Sequence, residues 1–336
     1  MKIGPFDSDR QVLVIAEVGN NHEGSFGVAE ELVGRAAEAG AQAIKFQTFR
    51  TELFVSPVQA ERFQRMKGFE LSEDQFTRLS QQARRAGLAF ISTPLDLPSA
   101  EFLDGIVDAF KIASGDNTFY PLIETVAAKG KPTILSTGLA DMAQIDHARA
   151  LIRRIWRDRG VAPPLALLHC VTAYPVPPAH ANLAAIRTLA RAFDATIGYS
   201  DHTIGTQACV LAVAAGARIV EKHFTLANDY SAFRDHQLSA DPPTLTRMIR
   251  EIREVEAIVG SGEKVPQPEE VESMTAIRRS IAAARALSAG TVIGPGDIAW
   301  LRPGDGIPPG DERRVLGRRL VTDLAPGAII RLEHLV

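Results

Sequence analysis

Residues 195–224 read ATIGYSDHTIGTQACVLAVAAGARIVEKHF. Two short, largely apolar runs, 195–200 and 218–224, flank one apolar helix-like segment, and each run ends beside a histidine, His202 and His223. A strand that is apolar on both faces suits a parallel sheet covered on both sides, and parallel neighbours need a helical crossover between them. The stretch therefore predicts a strand–helix–strand unit.

The same unit recurs upstream. Strand-like runs fall at 12–19 (VLVIAEVG), 41–47 (AQAIKFQ), 88–94 (LAFISTP), 108–114 (DAFKIAS), 132–138 (PTILSTG) and 165–171 (LALLHCV), which makes eight with the two already quoted. Helix-period segments separate them, such as SFGVAEELVGRAAEAG, where Val28, Leu32 and Ala36 repeat every fourth residue and Gly40 suits a helix C-cap. Another, PPTLTRMIREIREVEAIVG, follows the last run. Eight strand–helix repeats predict a closed (β/α)₈ barrel; the alternative, an open doubly wound sheet, lacks a GxGxxG after its first strand. Past Gly260 the chain turns polar and proline-bearing, so residues 1–260 read as the barrel and 261–279 as a linker. Residues 280–336 hold short apolar pieces between Gly/Pro turns, a small β-rich domain. Within it LSAGTVIGPGDI and LAPGAIIRLEHL echo each other, as related halves would.

Composition excludes several classes of function. The chain of 336 residues has a net charge of −3 and no Lys/Arg block, so nucleic acid is not an expected partner. No apolar run reaches the roughly 18 residues of a membrane span, and the first residues, MKIGPFDSDR, lack an apolar signal core, which predicts a cytoplasmic protein. The two cysteines, Cys170 and Cys209, lie in apolar runs without CxxC spacing and read as buried free thiols.

In a (β/α)₈ barrel the reactive centre forms at the C-terminal strand ends, so polar residues there are the informative ones. Lys45 and Lys111 sit inside apolar runs, with hydroxyls at neighbouring strand ends. A buried lysine needs a compensating anion, either a phosphate or carboxylate ligand, or Glu17 and Glu221 as ion-pair partners. His202 and His223, at the ends of adjacent parallel strands about 4.8 Å apart, can share one cation. Two imidazoles with little carboxylate make a weak cage, suited to exchangeable Mn²⁺ or Mg²⁺ rather than structural zinc. Glu221 reads either as a group supporting that site or as the partner of Lys45.

Nine segments in order, IAEVGNNHEGS, AIKFQTF, FISTP, FKIASGD, PTILSTG, LLHCVTAYP, GYSDHT, EKHF and LRPGDG, resemble the bacterial sialic acid (N-acetylneuraminate and nonulosonate) synthases, whose C-terminal module is an antifreeze-like SAF domain. The resemblance implies condensation of phosphoenolpyruvate with N-acetylmannosamine or a related N-acylated mannose-type sugar, giving a nonulosonic acid and phosphate. It implies Lys45, Thr93, Lys111, Ser114, Ser136 and Ser200 around phosphoenolpyruvate, with His202 and His223 on the metal. Glu17, Gln47, Tyr174 and Asp235 are implied at the sugar, and Arg302 at the N-acyl group, reaching it from the partner of a domain-swapped homodimer. Asp116 stands where the family often has glutamate, and Thr172 where some members have asparagine. Glu17 and Asp116 are the expected proton-transfer groups, beside Lys45 and Lys111 in catalysis. The nearest rivals are a 3-deoxy-ulosonate synthase acting on a phosphorylated aldose and an inactive sugar-binding protein. A phosphorylated acceptor calls for a second anion site, and the sequence offers one clear cationic cluster.

Overall fold

The computed structural model describes residues 1–336 and divides into two compact units, Met1–Gly260 and Ser261–Val336. The first opens with a two-stranded hairpin, β1 (Lys2–Ile3) and β2 (Phe6–Asp7). Eight parallel strands follow: β3 (Leu13–Gly19), β4 (Ala43–Thr48), β5 (Ala89–Pro94), β6 (Ala109–Ile112), β7 (Thr133–Ser136), β8 (Leu165–Cys170), β9 (Thr196–Asp201) and β10 (Ile219–His223). They pair in sequence order and close β10 onto β3, as the run count predicts.

The helices of this unit are α1 (Phe26–Glu38), α2 (Thr51–Phe54), α3 (Ala60–Phe69), α4 (Glu73–Arg85), α5 (Leu97–Leu103), α6 (Tyr120–Ala128), α7 (Met142–Asp158), α8 (Ala184–Ala192), α9 (Gln207–Ala214), α10 (Asp235–Leu238) and α11 (Pro242–Val259). Side-chain oxygens start several of them: Ser25 accepts from Val28, and Ser72 and Asp141 close reciprocal capping boxes with Gln75 and Gln144. The outward strand residues, among them Val14, Ala16, Ile44, Phe46, Phe90 and Phe110, pack with the helices as one large apolar core.

Inward residues form a second, smaller core. Leu13, Ile15, Ala43, Ala89, Ile91, Ala109, Ile134, Ala166, Leu168 and Ile219 fill the lower barrel and pack on Met1 and Ile3 of the hairpin, which plugs the end opposite the site. Strand residues alternate faces, so the next inward positions up the eight strands are Glu17, Lys45, Thr93, Lys111, Ser136, Cys170, Ser200 and Glu221. The barrel thus changes from apolar to charged over one step of its inner face. Gly198 helps it close, because a Cβ there would lie 2.5 Å from both the Ile219 carbonyl oxygen and a Leu168 methyl.

In the second unit the segment read as a linker carries a helix, α12 (Pro268–Ile277), started by a Gln267–Glu270 capping box. Its polar composition had obscured it; the helix buries no side chain fully. Beyond it, β11 (Ser280–Ala283) pairs with β12 (Ile298–Leu301) around a separate apolar core. The two echoes are structural counterparts: Leu287 and Leu324, their first residues, exchange both backbone hydrogen bonds, at 2.9 and 2.8 Å. No helix is long and apolar enough to cross a membrane.

Candidate active site

The barrel mouth holds a buried four-charge cluster. Lys111 Nζ donates to both oxygens of Glu221, at 2.9 and 2.7 Å, and Ser200 Oγ donates to Glu221 at 3.0 Å. Lys45 Nζ lies 3.0 Å from Glu17, 3.5 Å from Glu221 and 3.3 Å from Thr93 Oγ1. Both lysines are thus ion-paired, the second of the two readings open from sequence. The two carboxylates of the cluster are unequal. Burial and the neighbouring Glu221 charge raise Glu17, outweighing Lys45. Burial also acts on Glu221, but Lys111 and Lys45 hold it far below the usual carboxylate range. Glu17 is thus the readier of the two to take a proton, while burial and the neighbouring Lys45 charge lower Lys111 against the pull of Glu221. Glu17 Oε2 is buried without a partner.

Hydroxyls gather on the neighbouring loops. Ser114 Oγ accepts from the Gly138 N–H at 3.2 Å, and Asn117 Nδ2 donates to the Ser136 and Gly138 carbonyls at 3.3 and 2.7 Å. Gly138 is required: a Cβ would lie 2.4 Å from Thr172 Oγ1 and 2.7 Å from Ser114 Oγ. Thr172 Oγ1 is itself buried and unpartnered. Ser114, Thr172 and the Gly138 backbone therefore converge, beside the strand that carries Ser136.

The two imidazoles also meet. His202 and His223 ring centroids are 5.4 Å apart, and Tyr174 lies 4.2 Å from the first and 6.1 Å from the second. His202 Nδ1 donates to the Val171 carbonyl at 2.9 Å, which fixes the ring and leaves Nε2 free. His223 Nδ1 is buried without a partner, and burial, His202 and Lys45 push its pKa well below normal, so it is neutral and keeps a lone pair. The two imidazoles could hold one divalent cation between them. No third His, Cys, Asp or Glu completes a cluster, so the remaining positions would fall to water and substrate oxygens.

Gln47 borders the charged floor. Its Nε2 donates to Glu17 at 3.4 Å and its Oε1 accepts from Asn20 at 3.0 Å. A cavity of about 1100 Å³ opens above, bounded by Gln47, Tyr174 and His223 at the mouth and by Asp235, whose carboxylate accepts from Arg234 Nε at 3.2 Å. Asp116 makes no side-chain hydrogen bond to the floor, and burial raises its pKa to about 6. Arg302 is exposed in the C-terminal unit.

The Asp116 shift yields a signed expectation. Its folded pKa of about 6 lies above the ordinary 3.8, so ionising it costs stability as pH rises from 4 to 6, and the cost persists above that. Asp116→Asn is expected to raise Tm at pH 7.5 and to leave it unchanged near pH 3.5. A Tm difference independent of pH would remove burial of this carboxyl as the cause.

Sequence reasoning missed the network that shapes the His202 turn. Lys222 and Asp201 face outward and pair at 2.6 Å in full burial. Asp201 also accepts from Tyr199 OH and the Thr203 N–H, each at 2.9 Å, while Lys222 donates to the Thr203 carbonyl at 2.6 Å. The available signal was a charged residue at an outward, core-facing position on each of two adjacent strands.

Comparison with known proteins adds the following. Residues 32–264 match the NeuB family and residues 278–336 the SAF domain. An uncharacterized protein of Methanocaldococcus jannaschii is 44% identical over 96% of this chain and 94% of its own length. The N,N'-diacetyllegionaminic acid synthase of Legionella pneumophila is 37% identical, over 99% of this chain and 97% of its own. The crystal structure of N-acetylneuraminic acid synthetase from Leptospira borgpetersenii, with citrate bound, superposes with a TM-score of 0.76 at 34% identity, covering 81% of this chain and 94% of that one.

Proposed function

The chain belongs to the NeuB family of nonulosonic acid synthases, with a C-terminal SAF domain, and on that premise we propose that it condenses phosphoenolpyruvate with an N-acylated mannose-type sugar to give a nonulosonic acid and inorganic phosphate. The observation that carries the reading is the adjacency of two unlike binding features in one barrel mouth. Lys45 and Lys111 with their hydroxyls suit the phosphate and carboxylate of phosphoenolpyruvate, and His202 with His223 suits Mn²⁺ or Mg²⁺.

Each residue then has a task. Lys45 and Lys111 exchange part of their pairing with Glu17 and Glu221 for the substrate anion. Thr93, Ser114, Ser136, Thr172 and Ser200 supply hydroxyls that orient it. Gln47, Tyr174 and Asp235 border the space for the sugar. His202 and His223 would hold the divalent cation, which would supply Lewis acidity for the sugar aldehyde. C3 of phosphoenolpyruvate forms the new bond to the aldehyde carbon, whose oxygen becomes a hydroxyl, and water adds at C2. The ammonium groups stabilise the tetrahedral phosphate-bearing centre, which collapses to the 2-keto acid as phosphate leaves. Glu17, the readier of the two floor carboxylates to take a proton, moves protons between water and the sugar oxygen.

The test mixes protein, phosphoenolpyruvate, N-acetylmannosamine or a diacetamido-trideoxy analogue, and Mn²⁺. Phosphate and 2-keto acid are expected to appear in equal amounts, and only when an acceptor is present. Acceptor-independent pyruvate release, or no phosphate with any acceptor, would contradict the reading.

A further inference from the structure

Behind the two imidazoles, on the outer face of the barrel, lies the Asp201–Lys222 ion pair. Each member immediately precedes one of the histidines, Asp201 before His202 and Lys222 before His223. Strand residues alternate faces, so the pair points outward where the imidazoles reach the mouth. Asp201 and Lys222 are also register partners, and theirs is the last rung between β9 and β10. His202 therefore stands one residue past the ladder that joins its strand to that of His223.

The ion pair continues the connection where the ladder stops. Thr203, the residue after His202, is held at both backbone groups: its N–H donates to Asp201 at 2.9 Å and its carbonyl accepts from Lys222 Nζ at 2.6 Å. Thr203 Oγ1 donates to Asp201 at 3.2 Å, and Tyr199 OH donates to the same carboxylate at 2.9 Å. Both neighbours of His202 and the residue before His223 thus meet in one fully buried network. The other ties on His202 come from the far side, from the Val176 N–H to its carbonyl and from its ring to the Val171 carbonyl, each at 2.9 Å. Those ties do not involve β10, so they leave the spacing between the two rings unset.

Stability does not account for the pair. Taking two charges out of water is costly, and apolar residues of similar size often serve a core as well or better. Elsewhere the outward positions use Ile44, Phe46, Phe90 and Phe110. We propose that Asp201 and Lys222 are positioning residues that fix the separation of the two imidazoles from behind, so that their loss weakens divalent-cation binding more than it weakens the fold. Groups that orient metal ligands act in this way without touching the metal. The inference rests on the two-histidine reading above and deepens it.

The full chain, stripped with chelator, is titrated with Mn²⁺ alone while free ion is followed by electron paramagnetic resonance. Wild type is compared with Asp201→Asn/Lys222→Met, Tyr199→Phe and Leu103→Ala. The double variant keeps an acceptor for the Thr203 N–H, buries no charge and releases the Thr203 carbonyl, and its Kd for Mn²⁺ is expected to rise about 10–100-fold. Tyr199→Phe keeps the packing and removes one bond to Asp201, which should raise Kd about threefold. Leu103→Ala hollows the core under α5 and lowers Tm, yet its distance from the site should leave Kd within about twofold of wild type. Unchanged Kd in both network variants would overturn the inference. An equal rise in Leu103→Ala would also overturn it, by assigning the effect to general loosening. If the double variant does not fold, Tyr199→Phe against Leu103→Ala decides. Absence of Mn²⁺ binding by the wild type would instead fail the two-histidine reading itself.

Discussion

Replacing His202 by alanine is expected to abolish metal-dependent turnover, by a factor on the order of a thousand or more, while the barrel stays folded. Disturbing a group that merely orients a metal ligand costs about 10–100-fold, and His202 is one of only two imidazoles at the proposed centre. Its Nδ1 meets the Val171 carbonyl at 2.9 Å and Cys170 Sγ at 3.7 Å, and the turn around it is independently fixed by the Asp201–Lys222 pair. Tm should therefore fall little, and titration with Mn²⁺ alone should show weakened binding. Full activity of this variant in metal-free buffer would sink the two-histidine centre.

Lys111→Met should damage both fold and function. Lys111 is the bidentate partner of Glu221, and its loss leaves that buried carboxylate with Lys45 at 3.5 Å and Ser200. Breaking a buried pair by removing one partner costs about 3–5 kcal/mol, which in a domain of this size lowers Tm by roughly 6–15 °C. Phosphate release should fall below detection, since half of the floor's cationic charge is gone. Double replacement with Glu221→Gln should recover much of the Tm and none of the activity. That split separates the role of Lys111 in packing from its role in holding the substrate anion. Equal recovery of both would assign the cluster to stability alone.

Much of this architecture was legible because two periodicities coincide. Runs apolar on both faces announce buried parallel strands, and the order in which they close is the chain order. Alternation then places Glu17, Lys45, Thr93, Lys111, Ser200 and Glu221 on one inward face without knowledge of any contact. Ion pairing of the two lysines with Glu17 and Glu221 is one of two readings open from sequence, which matches Glu221 to Lys45; in the structure its nearer partner is Lys111, and residue type alone cannot decide between ion pair and ligand.

What escaped did so for physical reasons. The bottom hairpin is two short strands whose worth lies in Met1 and Ile3 meeting the inner core, a contact between distant parts of the chain. Lys222 and Asp201 break the rule that outward barrel positions are apolar, and only their mutual burial reconciles them with the core.

The central claim is that Lys45 and Lys111 hold a phosphate that departs from a tetrahedral carbon formed by water addition at C2. Phosphoenolpyruvate labelled with ¹⁸O in its bridging C–O–P position, turned over with the preferred acceptor, tests it directly by mass spectrometry of the products. Cleavage of the C–O bond places the label in inorganic phosphate, as predicted here. Label retained in the 2-keto acid would mean cleavage of the P–O bond and would contradict the mechanism assigned to the floor of the barrel.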